Sequence, residues 1–282
     1  MIGTEEPAAP LHARAEPWLR VACLALAAAA IAPALRVLSY IWSSSDYMGY
    51  GYLIPASALV LLWLRRGEVA RALRAAEPPS DGAAWVLAAA LVESLGLLAD
   101  VGSLAGLGIP LLLAATAYAV GGPRLARSLA LPVGFLIFML PPPGFLVDPM
   151  LLRLKSVVTF AAVGLLQLAG FSVASEGNRI FIPGHELFVA NACAGLNSIV
   201  TLLPLGVVVA TFVVGTPWRR ALVLASVVPL AMIGNIVRVA ATAVLVSYFG
   251  TDYAEGNLHE TFGAATFVLG AVALLGVARL AR

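Results

Sequence analysis

Residues 218–249 read WRRALVLASVVPLAMIGNIVRVAATAVLVSYF. Arg219 and Arg220 stand at the start of this stretch, and no carboxylate follows within it. A helix needs about 20 mainly apolar residues to cross a hydrocarbon core of roughly 30 Å. The stretch is therefore predicted to be a transmembrane helix that enters the membrane from the cytoplasmic side, because cytoplasmic loops are enriched in Lys and Arg.

Similar apolar stretches extend along most of the chain on both sides of this helix. Of the 282 residues, 61% are hydrophobic and 11% are charged, whereas roughly a quarter of an average soluble domain is charged. We predict an all-α fold, a polytopic membrane bundle of about eight transmembrane helices, in one domain over residues 1–282, with residues 1–17 as a polar cytoplasmic tail. The predicted spans are residues 18–42, 48–64, 83–99, 104–120, 125–140, 187–214, 218–249 and 262–280.

Arginines cluster in alternate connections between these spans, which predicts that both termini are cytoplasmic. The alternation holds only if residues 141–186 begin and end on the outer side. Residues 150–171 are therefore predicted to form an amphipathic helix in the outer interface, with polar residues gathered on one side. Those residues are Arg153, Ser156, Gly164 and Gln167, with Thr159 close by. A ninth span is the alternative, and it would invert the topology of all that follows.

Charge and composition exclude some classes of function. The net charge of +2 is small and dispersed, and no basic stretch is interleaved with aromatic residues, so a nucleic-acid partner is not expected. The sequence has no metal-ligand spacing and no Gly-rich phosphate loop, so no metal or cofactor is expected. Membrane lipid is the partner that composition implies.

Cys193 lies in a segment of small residues at the start of the long span 187–214. The segment reads NACAGLNS over residues 191–198 and follows Pro183-Gly184. The positive end of a helix dipole favours a thiolate over a thiol, and Gly195 leaves room for a substrate backbone. The alternative is that Cys193 only packs against neighbouring helices.

Arg238 and His259 are predicted to lie at the same depth as Cys193. Nineteen residues separate Arg219 from Arg238, about 28 Å along a helix, which places Arg238 at the outer boundary. His259 precedes the last span, about 30 Å from Arg279 by the same count. An arginine that snorkels to headgroups and an incidental loop histidine are the alternatives.

Together, these three residues provide the groups for acyl transfer. A thiolate at Cys193 attacks a peptide carbonyl, His259 moves the protons, and Arg238 stabilises the negative charge. Cys23 lies near the inner end of the first span, about a membrane thickness away, which makes a disulfide with Cys193 implausible.

Several segments resemble the exosortase and archaeosortase family of membrane cysteine transpeptidases, from about Tyr47 onward. The matching residues are EGNRI (176–180), PGHEL (183–187), VA (189–190) and ACAGL (192–196) for the nucleophile segment, FMLPPPG (138–144) for a proline-rich loop, Pro229 with Asn235 and Arg238, and a degenerate early segment from YGYLIP (50–55) to Arg65-Arg66.

The resemblance implies residue roles and a reaction. Cys193 would be the nucleophile, Arg238 the transition-state stabiliser and His259 the acid and base, supported by His185, Asn235, Gly195 and Asn191. His185 is also the main rival for the base. The implied reaction is cleavage of C-terminal sorting signals of the PEP-CTERM kind, made of a short motif, a hydrophobic helix and a basic tail, through a thioester.

The resemblance also implies where the reaction takes place and on what. The substrates would be secreted proteins, and the site would face the exterior or periplasm of a bacterial cytoplasmic membrane. The family commonly has Ser and an acidic residue where this chain has Ala194 and Asn191, which leaves the subfamily and the target motif open. A small-solute transporter and a non-catalytic membrane scaffold are the alternatives.

Overall fold

The computed structural model describes residues 17–45, 48–190, 194–250 and 257–282. The predicted cytoplasmic tail therefore lies almost wholly outside the described residues. Nine α-helices and a small sheet are found in the described part. The helices are α1 (Pro17–Ser44), α2 (Leu53–Leu64), α3 (Arg66–Arg74), α4 (Gly82–Leu98), α5 (Gly102–Phe135), α6 (Gly144–Leu168), α7 (Leu196–Val213), α8 (Pro217–Phe249) and α9 (Asn257–Leu280). Two 3₁₀ turns, Gly49–Tyr52 and Leu136–Met139, precede α2 and follow α5.

The predicted helical membrane protein is confirmed at the level of its elements. Five helical segments of the described part are long and apolar enough to cross a membrane, and two shorter helical segments are also apolar. The five are Gly102–Met139, Gly144–Leu168, Leu196–Val213, Pro217–Phe249 and Thr261–Leu280. The number of eight crossings and the cytoplasmic position of both termini stay predictions.

The helix α5 contains a break where the sequence predicts a connection between two spans. Gly122 has φ +69° and ψ −169°, which is not helical, and Pro123 follows it. A side chain at Gly122 would collide with the backbone carbonyl of Glu77. The predicted spans 104–120 and 125–140 therefore correspond to the two arms of α5 on either side of this glycine.

The chain forms two compact units, one from residues up to 41 and 55–141 and one from 42–54 and 142–282. The single domain predicted over residues 1–282 stays a prediction. In the first unit, α4 packs closely on α5. A Cβ on Gly96 would collide with the backbone of Ala105, and a Cβ on Gly108 would collide with the side chain of Glu93. Small residues at helix contacts are typical of membrane helices, because they let two backbones approach.

The second unit contains a three-stranded antiparallel sheet in the order β1 (Ala174–Glu176), β2 (Arg179–Ile182) and β3 (His185–Phe188). The predicted all-α bundle did not include this small sheet. Both hairpin turns carry a glycine with positive φ, Gly177 at +58° and Gly184 at +81°. Such turns need glycine because other residues avoid this conformation.

The sheet packs on α6 and α8 through one face. Ile180 and Ile182 of β2 are buried with residues of both helices. Val158 and Ala162 of α6 belong to the same core, and α8 contributes four members, Val239, Ala240, Ala243 and Val246. A second core joins α7, α8 and α9. The two cores share α8.

The helix predicted at residues 150–171 is α6, which begins earlier, at Gly144. Arg153, Ser156 and Gln167 are exposed, as a polar outer side requires, but Thr159 is buried on the opposite side. The exposed side also carries Phe160, which is 80% exposed. By length and composition α6 could cross a membrane, which is the alternative stated above, and the interfacial position stays a prediction.

Candidate functional site

Arg238 lies in the C-terminal half of α8 and is only 7% exposed. Its guanidinium lies against α9: a Cβ on Gly263 would be 3.5 Å from both Nη atoms and 3.6 Å from Cζ. Glycine at this position therefore lets the guanidinium approach the backbone of α9. His259 precedes Gly263 by four residues, so the two share one face of α9 a single turn apart.

Asn235 lies three residues before Arg238 on α8 and is 1% exposed. Its Nδ2 atom would be 3.5 Å from a Cβ on Gly195, and Met232 Sδ would be 3.3 Å from the same position. Gly195 is the N-cap of α7 and has φ +88°, a conformation that favours glycine. The segment that carries Cys193 therefore ends against Asn235, two residues after the cysteine.

The packing of the three helices places these contacts at one height. Leu202 of α7 lies against Gly270 of α9, with a Cβ on Gly270 at 3.0 Å from its Cδ1. Gly195 precedes Leu202 by seven residues, and Gly263 precedes Gly270 by seven. Because α7 and α9 both run antiparallel to α8 here, they run parallel to each other. Gly195 and Gly263 therefore lie at about the same height, each about 10 Å along its helix from the contact between Leu202 and Gly270.

Three of the predicted site residues lie partly or wholly outside the described part of the chain. Cys193 and Asn191 lie outside the described residues, and His259 belongs to α9 while its side chain lies outside the description. The structure places Gly195 against Asn235 and Gly263 against Arg238, and Asn235 and Arg238 are three residues apart on α8. The roles predicted for the three catalytic residues stay predictions.

His185 lies apart from Arg238 and Asn235. It is half-buried on β3, and its Cε1 atom would be 4.0 Å from a Cβ on Gly250, the residue that caps α8. Twelve residues separate Gly250 from Arg238, about 18 Å along a helix. His185 therefore lies near the C-terminal end of α8, and the choice between His259 and His185 as the base stays a prediction.

Two features were not predicted from the sequence. Gly263 was not singled out, although its spacing of four residues from His259 was a signal for a shared helix face. Lys155 of α6 was also missed, and it is 8% exposed. Among the described residues, no three His, Cys, Asp or Glu side chains gather as metal ligands.

Similarity to known proteins agrees with the motifs around these residues. Residues 42–276 match the family described as transmembrane exosortase. No curated protein and no solved structure matches the chain. The matching stretch covers most of the 282 residues and includes Cys193, Arg238 and His259. The chain therefore belongs to the transmembrane exosortase family.

Proposed function

We propose that this exosortase is a membrane cysteine peptidase or transpeptidase that cleaves C-terminal sorting signals of secreted proteins. Cys193 is the nucleophile, His259 the acid and base, and Arg238 the stabiliser of negative charge. The site faces the exterior or periplasm of a bacterial cytoplasmic membrane. The cleaved signals are of the PEP-CTERM kind, with a short motif, a hydrophobic helix and a basic tail.

One observation carries the proposal: α8 contacts both segments that hold the other two groups. Asn235 lies against Gly195, two residues from Cys193, and Arg238 lies against Gly263, one turn from His259. Asn235 and Arg238 are three residues apart on one helix, so their side chains share a face of α8. This arrangement supports a site in which the thiol, the imidazole and the guanidinium meet beside α8.

The reaction needs only these groups and a second nucleophile. The thiolate of Cys193 attacks the scissile carbonyl carbon, a C–S bond forms, and the carbonyl electrons move to oxygen. When the tetrahedral intermediate collapses, the C–N bond breaks and the amine leaves with a proton from the imidazolium of His259. An acceptor amine, hydroxyl or water then gives up a proton to the imidazole and releases the acyl group from sulfur.

Arg238 has a role in this scheme because its buried guanidinium is a cation held against α9, one turn from His259. Two anions form in the reaction, the thiolate and the tetrahedral oxyanion. A fixed cation beside them stabilises both, and fixed charges act most strongly where water is excluded. The thiolate form of Cys193 is favoured further by the N-terminus of α7, which begins at Leu196.

The test is co-expression with secreted proteins that end in a hydrophobic helix and a basic tail, followed by intact mass measurement. The wild type is compared with Cys193→Ala and with Cys23→Ala, which removes the other cysteine. We expect tail loss with the wild type and with Cys23→Ala, and an uncut substrate with Cys193→Ala. Tail loss that persists in Cys193→Ala would refute the proposal.

A further inference from the structure

A cavity of about 610 Å³ lies along the contact of α4 with α5 in the first unit. Most of its wall consists of small and aliphatic side chains from both helices, namely Ala88, Ala89, Val92, Leu111, Ala114 and Ala115. Ala88, Leu111 and Ala114 are exposed, so the cavity is an open groove on the surface of the helix pair. An open apolar groove on a membrane protein is a place where a lipid chain or another apolar segment binds.

One end of this groove is polar, because Asp81, Trp85 and Tyr118 complete its lining. Trp85 Nε1 donates a hydrogen bond to Asp81 Oδ2 at 3.0 Å, and Tyr118 Oη donates one to Asp81 Oδ1 at 3.3 Å. Asp81 is the N-cap of α4 but its side chain forms no capping hydrogen bond, although an aspartate in this position usually accepts one from the first turn. Its carboxylate is instead held at the groove by two aromatic donors.

The Asp81 carboxylate can accept further hydrogen bonds from a cation. A carboxylate has about four acceptor positions, and the two aromatic donors occupy one on each oxygen. The ion pairs among the described residues do not include Asp81, since they are Arg65–Glu68, Arg124–Glu77 and Arg179–Glu186. The faces of tryptophan and tyrosine rings also attract cations. A carboxylate between an indole and a phenol is therefore a site that favours an ammonium group.

The length of the groove matches one leaflet of a bilayer. Eleven residues separate Asp81 from Val92, about 16 Å along a helix, and one leaflet provides about half of a hydrocarbon core of roughly 30 Å. The polar end lies at the start of α4. This end is predicted to be cytoplasmic because of the arginines in the connection before it, which are Arg65, Arg66, Arg71 and Arg74.

We propose that this groove binds a phospholipid with a primary ammonium headgroup, in the leaflet predicted to be cytoplasmic. The ammonium donates hydrogen bonds to Asp81 beside the rings of Trp85 and Tyr118, and an acyl chain lies along Ala88 and Ala114. A lipid fits better than an apolar helix, because a helix that crosses the membrane needs a partner surface about twice as long. None of these residues takes part in the proposed reaction, so the inference does not depend on it.

The test measures lipid binding to the purified full chain by native mass spectrometry. The probes are three phospholipids with identical acyl chains and an ethanolamine, a choline or a glycerol headgroup. Asp81→Asn removes the charge and keeps an acceptor oxygen, and Ala88→Leu fills the groove. Glu77→Gln is the matched control for the charge, and Ala83→Leu is the control for the added volume. Both control residues are exposed and lie outside the lining of the groove.

We expect the wild type to bind the ethanolamine lipid about fivefold more tightly than the glycerol lipid, and more tightly than the choline lipid, which has no N–H donor. Asp81→Asn loses this preference, Ala88→Leu weakens binding of all three lipids, and both controls behave as the wild type. Equal binding of the three lipids by the wild type would overturn the inference. A preference that persists in Asp81→Asn, or a choline lipid that binds as tightly as the ethanolamine lipid, would also overturn it.

Photocrosslinking in membranes gives a second readout that does not require detergent or a change at Asp81. The crosslinker p-benzoylphenylalanine replaces Leu111 in the groove or, as a control, Leu87, which is 71% exposed on α4 and outside the lining. We expect the adducts at position 111 to be lipids enriched in the ethanolamine headgroup, and the adducts at position 87 to follow the bulk lipid composition. Equal headgroup composition at both positions, or a polypeptide adduct at position 111, would overturn the inference.

Discussion

At the scale of single residues, the central feature is a buried arginine beside a glycine. The contact of 3.5 Å between the Arg238 guanidinium and a Cβ position on Gly263 is ordinary van der Waals distance. A methyl group fits there, but a longer side chain must displace the guanidinium or α9. Displacement matters because the stabilising charge must lie where the oxyanion forms.

A size series at Gly263 tests this contact. We expect Gly263→Ala to process substrate nearly as well as the wild type and Gly263→Leu to lose about a hundredfold in kcat/KM, because an error of about 1 Å can cost that much. The measurement is the rate of tail removal by purified variants.

Gly276→Leu is the matched control for this series. Gly276 lies on the same helix, and a Cβ there has no neighbour within 4 Å. A normal rate for Gly263→Leu, or an equal loss for Gly276→Leu, would contradict the positioning role of Gly263.

The sequence predicts a depth for Arg238 because a helix has a fixed rise per residue and arginines mark the cytoplasmic side. It did not indicate which neighbour the guanidinium meets, because that depends on how α8 and α9 rotate against each other. The contact of the Lys155 ammonium with the Phe188 ring was missed for a similar reason, since no short-range pattern reports a contact 33 residues away.

At the scale of elements, glycines set the approach of the helices in each unit. In the first unit, Gly96 and Gly108 lie at the contact of α4 with α5. In the second, a Cβ on Gly206 of α7 would be 2.9 Å from Val227 of α8. Membrane helices gain little from apolar burial against each other, so close packing through small residues is what holds them together.

Gly108→Ala is expected to destabilise the first unit by about 1–3 kcal/mol, because the new methyl group overlaps the side chain of Glu93 and forces the helices apart. Gly134→Ala on the same helix α5 meets no atom within 4 Å and is expected to be neutral or stabilising by up to about 1 kcal/mol. Thermal unfolding of both variants in detergent checks the difference in sign. Equal effects of the two changes would contradict this packing.

Helices were easier to predict from the sequence than strands. The span predicted at 218–249 agrees with α8, which begins one residue earlier, at Pro217. The sheet was not predicted because its strands have only three or four residues each. Two signals for it are visible in the sequence, the Gly177-Asn178 and Pro183-Gly184 turns on either side of the strand Arg179–Ile182.

At the scale of the whole molecule, secreted substrates can reach the nucleophile only if the sheet and Cys193 lie on the outer side of the membrane. The alternation of arginines predicts that the sheet is outside and that the connection between α7 and α8 is inside. Residue positions in both regions are exposed and open to labelling. Ser175 lies on β1, and Gly215 lies just before Arg219 and Arg220.

Cysteine labelling in intact cells tests this topology. In a background without Cys23 and Cys193, Ser175→Cys is expected to react with a membrane-impermeant maleimide, and Gly215→Cys only after permeabilisation. The reason is that the reagent reaches only residues outside the membrane barrier. The opposite pattern would show that the chain is inverted and that the sorting signals of secreted proteins cannot reach Cys193.

The most direct test of the central claim is interception of the acyl-enzyme with hydroxylamine during processing. The account predicts that the wild type and Cys23→Ala release a substrate fragment with a hydroxamate at its new C-terminus, because hydroxylamine attacks a thioester on Cys193. Cys193→Ala is expected to release no fragment. Cleavage by Cys193→Ala, or cleavage by the wild type without any hydroxamate, would contradict a thioester on Cys193.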